Sequence, residues 1–283
     1  MAHLLKTILK DVLPPEDISK LHCAFDIVGN IIIVKIPDCL NSKKHIIAET
    51  ILMNIKSAKS IFAQTSAVRG DYRLRTLEHL AGVNCASTEY REHGCRFKVD
   101  VLNTYFSPRL STERIRISKM IADNEIITNM FAGVGTYSIL IAKHNKTCKV
   151  YSIDSNPIAN ELALLNAQLN KVQERVIPIC GDAREIIVKQ LRGTSTRVLM
   201  PLPEKAKEFV DFAVMALKEK GMIHYFAHVK ANSKKLALNN ATLDVAYAFT
   251  NHDYRIVSTR VVREVGPRLY QTVSDIIVTN THS

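Results

Sequence analysis

The sequence predicts an α/β protein. A small α+β unit spans residues 1–110, and a mostly parallel seven-stranded sheet wound with helices on both faces spans 111–283. Three observations lead there. From about Ser111, short apolar runs alternate with helical patterns, as strands joined by crossover helices do. One junction, "NMFAGVGTYSI", reads as a strand that ends in a glycine corner and feeds a helix. The last two strand candidates are joined only by "REVGPRL", too short for a crossover, so one of them runs antiparallel to its neighbours.

In the first unit, "NIIIVKIP" is a β-branched run ended by proline, and "SKKHIIAETILMNIKSA" has helical spacing. "TEYREHGCRFKVDV" reads as two extended segments turning at His93-Gly94. In the second unit, strands are predicted over 126–131, 149–154, 176–180, 197–200, 222–228, 254–262 and 271–279. Helices are predicted over 136–144, 156–170, 183–190, 204–218 and 231–240.

Composition narrows the function. The chain has 283 residues and a net charge of +11, which favours a polyanionic partner through counterion release. No apolar run is long enough to cross a bilayer, and Lys6, Lys10 and Asp11 interrupt the apolar face of the N-terminal segment before it could act as a signal core. A cytoplasmic protein without membrane attachment is expected. Cys23, Cys39, Cys85, Cys95, Cys148 and Cys180 are scattered, with neither zinc nor disulfide spacing, and are expected to be mostly buried as small apolar residues. No metal is expected.

The glycine corner comprises Phe131, Ala132, Gly133, Val134 and Gly135. Its glycines permit a sharp turn and close approach of a ligand to the backbone. The third glycine of a dinucleotide fingerprint is replaced by Ser138, which weakens phosphate binding there. Asp154, followed by Ser155 and Asn156, stands at the tip of the next strand, where an acid holds a ribose. That much suits NAD and S-adenosylmethionine equally. Two further strand ends favour the second. "VIPICGDAREI" offers Asp182 and the N–H of Ala183 to an adenine edge, and "RVLMPLPEKAKEF" ends a strand in the stiff turn Pro201-Leu202-Pro203. Together with the antiparallel ending, these form the arrangement of a class I, Rossmann-like methyltransferase; ordinary turn chemistry is the competing explanation of each.

Six stretches carry a family likeness: "DYRLRTLEHLAG", "TYFSPRLSTERIRI", "NMFAGVGTYSI", "SIDSNP", "GDAREI" and "VVREVGPRLYQTVSDIIV". They resemble the archaeal and eukaryotic tRNA (guanine37-N1)-methyltransferases, which are related to the tRNA-wybutosine aminocarboxypropyl transferases. The resemblance spans nearly the whole chain and implies S-adenosyl-L-methionine as donor and N1 of the guanine 3′ of the anticodon as acceptor. It implies Glu113 as the base that removes the N1 proton and Arg73 as the cation for charge developing on O6. Tyr105, Arg109 and Arg114 would shape the guanine pocket, with Pro201 and Pro203 lining it. The chemistry is coherent, since N1 becomes nucleophilic only when its proton leaves, and the base must be turned out of its stack.

Each assignment has a plainer rival. Glu113 falls in the first turn of a helix that Ser111 could cap, where the helix dipole favours acids and lowers their pKa. Arg73, with Arg69 and Arg75 nearby, could lie on a solvated basic strand that touches phosphates. Tyr105 could be a packed strand aromatic, Arg109 and Arg114 could pair with nearby carboxylates, and Tyr137 could pack the helix start rather than cover the donor.

The chain departs from the family where Pro201 replaces the usual asparagine, removing a side-chain amide and an N–H and leaving only a carbonyl acceptor. The small extra N-terminal domain of many members is also expected to be missing, so that recognition rests on the anticodon arm of tRNA, by a monomer. The alternatives are C-methylation of a tricyclic wyosine precursor at the same position, aminocarboxypropyl transfer in wyosine synthesis, an NAD-dependent dehydrogenase, and a tRNA-binding protein with a relic cofactor fold.

Overall fold

Apolar β-branched runs seed the two larger sheets, and the computed structural model describes residues 2–21, 25–66, 70 and 72–279. Cys23 and Arg69 lie outside the described residues. The chain divides into two compact units, Met1–Ser111 and Thr112–Ser283.

In the first unit, helices α1 (Ala2–Leu9) and α2 (Pro15–Lys20) precede β1 (Phe25–Val28) and β2 (Ile31–Val34). Every residue of β2 is buried, as its unbroken apolar run dictates. Helix α3 (Lys44–Asn54) carries the chain to β3 (Ser60–Gln64), parallel to β2, and β4 (Leu77–Gly82) returns antiparallel. The sheet order is β1-β2-β3-β4. Leu9, Ile32, Ile47, Ile51 and Ile61 form its core. Strands β5 (Ser87–Glu92) and β6 (Cys95–Asp100) make the hairpin expected from the sequence, with His93 and Gly94 both at positive φ in its turn.

Helix α4 (Ser111–Ser118) leads into the second unit. There β7 (Ile126–Asn129), α5 (Thr136–His144), β8 (Lys149–Asp154), α6 (Pro157–Leu169) and β9 (Val176–Cys180) wind one side of the sheet. Helix α7 (Ala183–Ile186), β10 (Ser195–Met200), α8 (Val210–Ala216), β11 (Leu217–Lys230) and α9 (Lys234–Ala248) wind the other. The chain ends in β12 (Asp253–Gly266) and β13 (Leu269–Thr279). The order is β12-β13-β11-β10-β7-β8-β9, and β13 alone runs antiparallel to its neighbours. The winding direction reverses between β7 and β10. This is the switch point beside which ligands of such sheets bind.

Three second-unit expectations, and the one for the cysteines, are corrected. The helix expected over 204–218 is a 3₁₀ turn (Ala206–Phe209) followed by α8, and β11 begins at Leu217, whose side chain is fully buried and which pairs with Ser195. The helix expected over 231–240 runs instead from Lys234 to Ala248, because Asn240 does not break it: its Nδ2 donates to the Lys230 carbonyl at 2.8 Å. The helix expected over 183–190 passes from α7 into a π turn, Ile187–Leu191. The cysteines are not mostly buried either. Cys39, Cys85 and Cys180 are exposed, and among the described residues only Cys95 and Cys148 are buried.

Candidate active site

Strand β7 stops at Asn129, and the chain turns with Gly133 at φ 56° and Gly135 at φ 85° into α5. A Cβ on Gly135 would stand 2.9 Å from Ile139 Cδ1 and 3.3 Å from Ala163 Cβ, so glycine is required by both conformation and space. The Gly133 N–H donates to Asp154 Oδ2 at 2.6 Å, and the Asn156 N–H donates to Asp154 Oδ1 at 2.9 Å. One carboxylate therefore ties the corner after β7 to the loop after β8. Asn156 in turn caps α6 by accepting from the N–H groups of Ile158 and Ala159, and Pro157 takes the first helical position. Burial pushes the Asp154 carboxyl above the ordinary range, against these two N–H bonds.

The other predicted donor residues are more varied. Ala132 and Val134 are buried, and the Val134 carbonyl is occupied by Asn166 Nδ2. Ser155 is exposed. Phe131 packs edge-on against Phe209, their centroids 5.0 Å apart. Tyr137 is buried against Phe226, which matches the helix-packing reading. Asp182 caps α7 through the Arg184 N–H, while Ala183 is buried behind it. The Arg184 side chain forks onto the Asp182 carboxylate at 3.0 and 2.7 Å and holds its pKa below the usual range. After β10, Pro201 and Leu202 are half-buried and Pro203 is buried; the Leu202 carbonyl accepts from Lys205 and Ala206.

In α4, Ser111 is the first helical residue rather than a cap, and its Oγ lies 2.8 Å from His93 Nε2. Glu113 is 5% exposed. Its Oε1 accepts from Nε and Nη2 of Arg116 at 2.8 and 2.5 Å. Burial nevertheless prevails, and the Glu113 pKa is raised, not lowered as a first-turn position alone predicts. Arg114 is buried.

Within the first unit, Arg73 sits in a turn at φ 55°, not on a strand, with its guanidinium carbon 4.0 Å from the centroid of the Tyr105 ring. Tyr105 is half-buried and lies beyond the end of β6, also outside any strand. Arg109 donates to Asp26 Oδ1 at 2.8 Å, while Arg75 takes Oδ2 at 2.9 Å and the Phe106 carbonyl. The pairing foreseen for Arg109 with a nearby carboxylate is thus present, and Arg75 is no solvated cation.

Residues 88–257 match the TRM5/TYW2 methyltransferase domain, and residues 5–85 match the TYW2 N-terminal domain. The chain belongs to the TRM5/TYW2 methyltransferase family. It is 38% identical over 265 residues to tRNA (guanine(37)-N(1))-methyltransferase Trm5b of Pyrococcus abyssi, covering 93% of this chain and 78% of that protein. It is 35% identical to tRNA 4-demethylwyosine(37)-methyltransferase Taw21 of Saccharolobus solfataricus, over 96% of this chain and 99% of that one. Among solved structures, aTrm5 in complex with tRNALeu superposes with a TM-score of 0.82 at 34% identity, covering 97% of this chain and 78% of that chain.

Family resemblance pointed to Glu113 but not to what surrounds it. Arg116, Asp275, His224, Arg197 and Glu125 form a connected polar chain behind that carboxylate. A signal for it exists in the sequence. His224 in "MIHYFAHV" and Asp275 in "TVSDIIV" interrupt runs that are otherwise core strands, and a polar group buried in such a strand requires a partner.

Proposed function

We propose that this TRM5/TYW2-family chain methylates N1 of the guanosine 3′ of the anticodon in tRNA, using S-adenosylmethionine. The observation that carries the reading is Glu113, a nearly buried carboxylate whose pKa is raised by burial, as suits a base for the guanine N1 proton. The donor fits the glycine corner, where Gly133 and Gly135 turn the backbone at positive φ and where Asp154 and Asp182 stand at the tips of adjacent strands. When bound, the donor supplies an electrophilic methyl group.

The remaining roles belong to the chain itself. Asp154 holds the ribose and Asp182 faces the adenine. Glu113 takes the proton from N1. Arg73 carries a fixed cation for the charge that then moves to O6, and Tyr105 steadies that cation through its ring. Arg109, Arg114, Pro201 and Pro203 are assigned to binding the target nucleotide. The net charge of +11 suits the anticodon arm of tRNA. Among the described residues no helix is long and apolar enough to cross a membrane, and we place the protein in the cytoplasm as a monomer.

A second reading is C-methylation of a tricyclic wyosine precursor at the same nucleotide. It is favoured by Pro201, which offers no amide to guanine, and by the end-to-end match with the Taw21 protein. The test is transfer of labelled methyl to two transcripts that differ only in guanosine or adenosine 3′ of the anticodon. Label on the guanosine transcript alone, recovered as 1-methylguanosine, is expected. Label only on tRNA carrying the precursor would select the second reading.

A further inference from the structure

The carboxylate of Glu113 is held by a single guanidinium that it shares. Arg116 gives Nε and Nη2 to Glu113 Oε1, and the same group gives Nη1 to Asp275 Oδ2 at 2.7 Å and Nη2 to Asp275 Oδ1 at 3.0 Å. One cation on α4 therefore clamps one carboxylate from its own helix and one from β13. Asp275 is 1% exposed and also accepts from Ser258 Oγ on β12 at 2.8 Å.

Behind Asp275 stands His224, fully buried on β11, with Nδ1 2.6 Å from Asp275 Oδ1. Its Nε2 is 2.8 Å from Arg197 Nη1. An arginine N–H can only donate, so Nε2 is the acceptor and Nδ1 carries the proton. The ring is consequently neutral, with its tautomer fixed from both sides. Arg197, from β10, forks onto Glu125 at 2.6 and 2.7 Å. The far end of the chain is thus closed by an ion pair, and its near end is Glu113.

We propose that Arg116, anchored by the Asp275–His224 pair, is the positioning residue of the reaction: it fixes the Glu113 carboxylate by one oxygen and leaves Oε2 to receive the proton. This rests on the reading of Glu113 as the base. The shared clamp has a particular electrostatic consequence. Three charges face Glu113: Arg116 from its own helix, Arg260 from β12 and Asp275 from β13. The two cations favour the ionised carboxylate, and Asp275 opposes them. Because Arg116 divides its charge between two carboxylates, Glu113 is oriented without being fully stabilised as an anion, and it keeps its affinity for a proton. His224 adds no charge of its own, so it anchors Asp275 without cancelling it.

The two sides of the clamp therefore act in opposite directions, which a role in folding alone would not do. Arg116→Gln removes a cation, so the acidic limb of the kcat–pH profile is expected to move up by about one unit, with kcat lowered at least tenfold by misorientation. Asp275→Asn removes an anion and leaves Arg116 wholly to Glu113, so the limb is expected to move down by a similar amount. Arg116→Lys keeps the charge but loses the fork; kcat is expected to fall with the limb unmoved. Donor-binding calorimetry on each variant reports whether the fold survives, and if Arg116→Gln does not fold, Asp275→Asn and Arg116→Lys decide. Glu113→Gln separates the two claims. If that variant keeps the wild-type limb, Glu113 is not the base. If it loses turnover while the folded Asp275→Asn and Arg116→Gln variants leave the limb in place, or Arg116→Lys keeps the wild-type kcat, the positioning role is overturned and the base stands.

Discussion

Arg73 lies over Tyr105, guanidinium carbon to ring centroid 4.0 Å, from a backbone φ of 55°. A left-handed conformation at a non-glycine residue costs about 1 kcal/mol or more. The stack over the ring returns roughly 0.5–2 kcal/mol. The side chain is therefore held where the backbone alone would not place it. Comparing Arg73→Gly with Arg73→Ala isolates the strain, because both lose the stack and only glycine relaxes the backbone. The glycine variant is expected to be more stable by about 1 kcal/mol in urea unfolding, while turnover is lost equally in both. An alanine variant more stable than the glycine one would mean that the turn is unstrained. If either variant lost tRNA affinity rather than kcat, Arg73 would be a phosphate contact.

Asp154 joins the corner after β7 to the loop after β8, the two loops proposed to floor the donor site. Asp154→Ala leaves the N–H groups of Gly133 and Asn156 without their shared acceptor, and each charged hydrogen bond is worth about 1.5–3 kcal/mol. Affinity for S-adenosylmethionine is expected to fall by tenfold or more in calorimetry, with tRNA affinity in its absence little changed. Unaltered donor affinity would remove Asp154 from the donor site.

Most of the second unit was legible because its strands are continuous apolar runs separated by clear helical periods, and β8 and β9 begin and end as expected. The first unit was less so. Strand β1 is only "FDIV" and β4 is "LEHLAG", half polar, and pairing with β2 and β3 rather than local pattern makes them strands. The extent of β13, and of β11 beyond its start at Leu217, comes from their pairing with each other at eleven successive positions, from Lys220↔Thr279 to Lys230↔Leu269. The glycine corner and its acid were visible because their residues lie close in sequence. The clamp on Glu113 was not, since Arg116 and Asp275 are 159 positions apart. Spacing reveals a site only where the chain itself keeps the partners together.

Arg184 occupies the carboxylate assigned to the adenine. Its pair with Asp182 is half-exposed on the arginine side, and solvent-exposed ion pairs contribute little. Any competition with the adenine is therefore small. Arg184→Ala is expected to leave donor affinity unchanged or to raise it by up to about fivefold. A tenfold loss would show instead that Arg184 orients Asp182 or touches the donor directly.

The buried chain behind Glu113 also sets the response of stability to acid. Burial depresses the His224 pKa against the pull of Asp275, so the folded protein resists protonation there while the unfolded chain takes a proton near pH 6.5. Stability is lost as pH falls through that value. Asp275 behaves differently: burial alone would raise its carboxyl, but the bonds from His224, Arg116 and Ser258 outweigh burial and hold it well below the usual range. Glu125 is likewise lowered, its fork from Arg197 outweighing burial. Both contribute stability above about pH 4 that is lost as the pH drops below the unfolded carboxylate values. Glu113, with its raised pKa, acts in the opposite sense and recovers a part of the loss as it protonates. Urea unfolding from pH 8 to pH 3 is therefore expected to show two descending segments, one beginning near 6.5 and a steeper one below 4. His224→Gln should remove the first and keep the second. If both segments survive in that variant, the neutral buried imidazole is not what the first one reports.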